Sequence, residues 1–144
     1  EETTTAPAAP SGPVSTASET YRYSAPMSAK QEVPAPKGVP AAAKGAFTVT
    51  VVESGAKITL KWKLTYGGMS GKVGAAHIHK AKRGKAGGVM VALCGPCRSG
   101  QTGSAPISES VNSAIEKGLA YVNVHTAKNP AGELRGQLAL VKKT

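Results

Sequence analysis

Lys57-Ile58-Thr59-Leu60-Lys61-Trp62-Lys63-Leu64-Thr65-Tyr66 is the stretch that decides the fold. Its alternation puts Ile58, Leu60, Trp62 and Leu64 on one face of an extended strand, and Thr59, Lys61, Lys63 and Thr65 on the other. A helix repeats every ~3.6 residues and would mix the two sets, whereas a strand separates them. Just upstream, Gly45 to Val52 alternates in the same way, with Phe47, Val49 and Val51 together, and Ser54-Gly55 between the two runs is a turn signal. The pair reads as a β-hairpin with one face in a core.

Further strands follow in both directions. Tyr21 to Met27 precedes the Pro-rich segment Gln31-Glu32-Val33-Pro34-Ala35-Pro36; Ala75 to Lys80 and Val89 to Leu93 come next. Tyr121 to Thr126 and Glu133 to Val141 close the chain, split by the turn Asn129-Pro130-Ala131-Gly132. One helix is predicted over Ser108 to Lys117, with Ser108 as N-cap, Val111, Ala114 and Ile115 on one stripe, and Gly118 as the stop. About seven short strands and one short helix predict an all-β protein, an antiparallel Greek-key β-sandwich or flattened barrel. The 17 Gly and 10 Pro among 144 residues, with few aromatics, fit that turn-rich plan.

Residues 1–20 differ from the rest: Thr, Ala, Pro and Ser with three Glu and no Lys or Arg. So little apolar surface cannot offset the entropy of ordering, so this segment is expected to be a flexible tether ahead of a domain over 21–144. The whole chain carries +10, from 14 Lys and 4 Arg against 8 Glu. It has no Asp. A Ser-His-Asp triad, an Asp-rich calcium loop and an aspartate pair for phosphoryl transfer are thereby excluded.

A Lys-rich chain is drawn to polyanions, and Lys80, Lys82, Arg83 and Lys85 form the densest basic run. Acidic surface polymer, or another copy of the chain, is the partner expected there. Arginine is scarce and no aromatic interrupts the run, so sequence-specific nucleic-acid reading is not expected. No apolar run reaches 18 residues, so no transmembrane helix is predicted. The chain opens at Glu1 rather than Met, as a product of signal-peptide removal does, and a secreted, periplasmic or cell-surface location is expected.

All three histidines fall on two predicted strands. His77 and His79 are two apart and share a face, with Ile78 turned to the core. On the later strand Val122 and Val124 are the core residues, which places Tyr121, Asn123 and His125 opposite. If these strands are neighbours, three imidazoles converge on the outer face of one sheet. Such a set suits one metal ion, copper ahead of zinc because copper lies higher in the affinity order and an exported protein meets oxidised copper. Asn123 and Glu133 are candidate partners for the second ring nitrogens, and Arg135 could steer an anion to the metal or pair with Glu133. The competing reading is a polar network without metal.

Three segments resemble the CHRD (chordin-type) family: Ser28-Ala29-Lys30-Gln31-Glu32-Val33-Pro34 with Ala43-Lys44-Gly45-Ala46; Gly74-Ala75-Ala76-His77-Ile78-His79 with Gly88-Val89-Met90-Val91; and Gly118 to Thr126 followed by Asn129 to Leu138. The resemblance implies a superoxide-dismutase-like or immunoglobulin-like sandwich and leaves activity open. His77-Ile78-His79 is also similar to the copper-binding strand of copper/zinc superoxide dismutases, and Asn129-Pro130-Ala131-Gly132 with Arg135 to their active-site loop and arginine. Those enzymes need more histidines and an Asp, so their two-metal chemistry is excluded here by count. At most a mononuclear copper role is implied, in copper handling or modest redox chemistry, and no catalytic reaction is assigned. Cys94-Gly95-Pro96-Cys97 lies outside the family pattern; a short structural disulfide is favoured over metal ligation or catalytic thiol chemistry.

Overall fold

The computed structural model describes residues 18–144, so the tether expected over 1–20 lies outside the described residues as far as position 17. Nine strands and one helix follow: β1 Glu19–Met27, β2 Lys44–Ser54, β3 Lys57–Gly67, β4 Val73–Lys80, β5 Val89–Cys94, β6 Gln101–Pro106, α1 Glu109–Glu116, β7 Ala120–Thr126, β8 Leu134–Gln137 and β9 Ala139–Lys143. They form two antiparallel sheets, one ordered β6-β3-β2-β1-β9 and the other β5-β4-β7-β8. The molecule is an all-β sandwich, and the two sheets do not close into a barrel.

The predicted hairpin is β2–β3, with Phe47 opposite Leu64, Val49 opposite Trp62 and Val51 opposite Leu60. All six are buried between the sheets, facing Ile78, Val122, Val124 and Leu134 of the second sheet. From β3 the chain crosses to form β4 and β5 and returns as β6, which pairs with β3 again. That is the strand order of a Greek key.

The helix is where the capping residues place it. Ser108 accepts from the Val111 amide, Ala114 and Ile115 are buried, and Gly118 takes φ +76° just past the end.

Two features depart from the expected strands. β6, Gln-Thr-Gly-Ser-Ala-Pro, has no apolar alternation because it is an edge strand whose contribution is a missing side chain. A Cβ on Gly103 would lie 2.6 Å from Cε2 of Trp62, so only glycine lets the indole fill that corner of the core. The single strand expected over Glu133 to Val141 is two. Leu138 is buried at the junction and its amide bonds to Ala120 O; before it the chain belongs to one sheet and after it to the other. Ser28 and Arg135 exchange backbone hydrogen bonds of 3.0 and 3.1 Å, which stitch that side of the sandwich.

Cys94 and Cys97 are joined as a disulfide with Cα atoms 5.3 Å apart, beside the core and away from the histidines' face. Among the described residues no helix is long and apolar enough to cross a membrane.

Candidate metal centre

β4 and β7 are neighbours, with Ala75 opposite His125, His77 opposite Asn123 and His79 opposite Tyr121. This register carries all three imidazoles to one face of the four-stranded sheet. One ring nitrogen from each lies within 4.8 Å of the others, and His77 Nδ1 is 3.0 Å from His125 Nε2. Two ligands at about 2.1 Å from a common ion can stand no further apart than about 4.2 Å, so the widest pair needs only a small inward adjustment. The group could hold a metal ion.

The tautomers follow from the partners. His79 Nδ1 is 2.9 Å from Gly87 O, and His125 Nδ1 is 2.9 Å from Pro130 O. A carbonyl only accepts, so both Nδ1 atoms carry the proton and both Nε2 atoms keep a lone pair. His77 Nδ1–H then donates to His125 Nε2. His79 Nε2 is buried and has no hydrogen-bond partner among the described residues. A buried polar atom without a partner is costly unless something else engages it. Burial lowers the pKa of His77, aided by the nearby His125 and His79; burial also lowers that of His125, opposed by the Pro130 bond. Neutral imidazoles are the form that binds metal.

The face is not the open surface expected from the sequence. Six of the seven residues of β7 are buried, because loops pack over the outer side of the sheet. The basic loop after His79 is strapped down by its backbone. Arg135 donates to Lys85 O (2.6 Å) and Lys82 O (3.0 Å), Gln137 donates to Ala81 O, and Tyr121 Oη accepts from the Gly87 amide at 3.1 Å. The side chains of Lys80, Lys82, Arg83 and Lys85 stay exposed, while the carbonyl of Gly87 holds His79.

The expected supporting residues are arranged differently. Among the described contacts, backbone carbonyls rather than Asn123 or Glu133 take the Nδ1–H groups of His79 and His125. Glu133 is fully buried and accepts from the Ser70 amide, Ser70 Oγ, Thr126 Oγ1 and Asn129 Nδ2. It is a latch that joins the 67–72 loop, β7 and the 127–132 turn. Arg135 does not pair with Glu133 and cannot meet a solvent anion, since it is 1 % exposed. Its guanidinium instead lies 3.5 Å from the Tyr121 centroid, and Tyr121 stacks on His79 at 4.9 Å and 8°.

Glu32 received no role from the sequence although it sits in the first family-like segment. It is 5 % exposed, one carboxylate oxygen has no partner, and it presses on Gly132 and Asn123. Burial pushes its carboxyl up to about 7, against the opposing Asn123 hydrogen bond, Arg135 charge and Val33 amide. A lone Glu between Gln31 and Val33-Pro34 was the available signal, and composition gave it no weight.

A small Greek-key sandwich with a three-histidine centre under a clamped loop is the class that fold and site define. The family model described as the CHRD domain matches residues 23–138, and the chain belongs to that family. No curated protein and no solved structure matches it.

Proposed function

We propose that this CHRD domain binds a single copper ion through His77, His79 and His125, as an exported protein of copper handling. The observation that carries this is the buried Nε2 of His79, unpartnered among the described residues, in a cluster of three imidazoles of which two, His79 and His125, have Nδ1 anchored to a carbonyl. Anchoring fixes the tautomer and aims the lone pairs before any ion arrives. Loading requires His77 to give up its Nδ1–H contact with His125 Nε2, and the lowered pKa of both rings keeps them neutral, the form that binds metal. Three neutral imidazoles suit copper over zinc in the general affinity order, and zinc is the second candidate. Bound copper would supply a one-electron centre, and the loop over His79 limits its access to solvent.

Purified protein should take up one equivalent of Cu(II) with a nitrogen-rich electron paramagnetic resonance spectrum. His79→Ala and His125→Ala should abolish that signal while circular dichroism stays unchanged. Absence of stoichiometric uptake, or an unaltered spectrum in both variants, overturns the proposal.

A further inference from the structure

The outer face of the five-stranded sheet carries a second, independent pattern. Residues directly opposite one another in adjacent antiparallel strands share a face. The register therefore lines up Ser24, Thr48, Lys63 and Thr102 in one row across β1, β2, β3 and β6, and Arg22, Thr50, Lys61 and Ser104 in the next. Lys142 opposite Arg22, and Lys44 and Lys57 at the two ends of the hairpin, extend the same face.

Among the described residues no glutamate side chain shares it. Glu53 lies on the other side of β2 and accepts from Asn112 of α1, and Glu19 is opposite Glu53. Each central lysine is thus flanked by a hydroxyl on either side, at a strand spacing of about 4.8 Å, and the two lysines are about 6.8 Å apart along β3. Thr48, Thr50, Lys61, Lys63, Thr102 and Ser104 line a shallow depression of about 500 Å³.

We propose that this face binds an acidic polysaccharide, with Lys61, Lys63 and Arg22 pairing with its carboxylates or sulfates and the flanking hydroxyls meeting sugar hydroxyls. Charge complementarity requires an anionic partner, and the composition of the face selects among anions. The aromatic residue at the floor of the depression, Trp62, is only 7 % exposed, so it offers no free ring on which a nucleobase could stack. The face has one Arg, so it lacks the bidentate forks that read phosphates and bases. The exposed Leu140 and Val141 are confined to the edge strand β9, and the two central rows carry no large apolar side chain to enter a bilayer, as an interfacial membrane binder needs. A flat array alternating cations with hydroxyls suits an extended, hydroxyl-rich polyanion. The basic loop at Lys80–Lys85 lies on the opposite sheet and is a separate candidate for the same partner.

The test is binding of the intact protein to immobilised polygalacturonate and to heparin, at low and high salt. Wild type should bind at low salt and release as screening grows, and Lys61→Ala/Lys63→Ala should weaken binding about tenfold or more. The loop variant Lys82→Ala/Lys85→Ala should change it less than about twofold. Thr48→Val/Thr102→Val keeps every charge and should still weaken binding to the polyuronate about threefold. All six positions are exposed on the sheet or loop, so the variants should fold, which near-ultraviolet circular dichroism checks. Loss in the loop variant but not in the sheet variant overturns the assignment. So does indifference to the threonines, or tighter binding to single-stranded DNA than to either glycan.

Discussion

The guanidinium of Arg135 lies 3.5 Å from the centre of the Tyr121 ring, and the same ring is stacked on His79. β4 and β8 flank β7, so the cation and the imidazole reach the ring from opposite sides. Arg135 also holds the carbonyls of Lys82 and Lys85, which makes one buried residue responsible for both the ring stack and the loop over it. A lysine retains the charge and lacks the planar fork. Arg135→Lys should therefore cost about 2 kcal/mol by leaving buried carbonyls unpaired. It should also weaken copper binding about tenfold, as loss of an outer-shell support does. Urea unfolding and a competitive chelator titration measure the two; intact affinity in a destabilised variant would reduce Arg135 to a structural clamp.

Gly103 lies directly opposite Trp62 on the neighbouring strand of the same sheet. Its φ is not in the left-handed region, so the requirement for glycine is contact alone: an added methyl would meet the indole. Overpacking of a filled core costs about 1–3 kcal/mol, and Gly103→Ala should fall in that range. Trp62 fluorescence followed through denaturant reports both the midpoint and the altered indole surroundings. A variant as stable as wild type would mean that β6 simply moves outward.

These two residues mark where the sequence was legible and where it was not. The hairpin β2–β3 and the face shared by the histidines follow from alternation, because each strand there has one apolar side. Gly103 and β6 were silent: an edge strand that contributes a gap has no apolar signature. β8 and β9 merged because the switch at Leu138 keeps the chain extended while it changes sheets. The ring N–H partners are not legible for a related reason. They are backbone carbonyls of Gly87 and Pro130, which any residue supplies, so no side-chain chemistry in the sequence marks them. The burial of Arg135 is not legible either, because it is set by the loop above it, not by its strand.

Glu133 offers a stability test with a definite sign. Burial alone would raise its pKa, but donors from Ser70, Thr126 and Asn129 outweigh burial and hold the carboxyl below its ordinary value. The unfolded chain then takes up its proton first as pH falls. The stabilisation is present above the ordinary carboxylate range and is lost as pH drops through the folded value. Glu133→Gln, whose amide turns N–H groups toward existing donors, should cost about 3 kcal/mol at pH 7. The gap between the variant and wild type should narrow in acid; a gap that is constant with pH would mean that the charge is not what the donors stabilise.

Glu32 has the opposite sign. Its folded pKa is raised to about 7 from an ordinary 4.5, chiefly by burial, so between those values the folded state holds a proton that the unfolded chain has released. Its contribution is fully present below the ordinary value and is lost as pH rises to about 7. Above that, an ionised carboxylate stays buried with one oxygen unpartnered. Glu32→Gln removes the charge and keeps an acceptor for Asn123, so the variant should exceed wild type by about 2 kcal/mol at pH 8 and match it at pH 5. Urea unfolding at the two pH values measures it. Metal should work the other way, because an added dication nearby favours the ionised form and should release a proton from Glu32 on loading. Isothermal titration with copper in buffers of different ionisation enthalpy would then report fewer protons released by Glu32→Gln than by wild type near pH 6.5, and equal counts would place Glu32 outside the influence of the histidine centre.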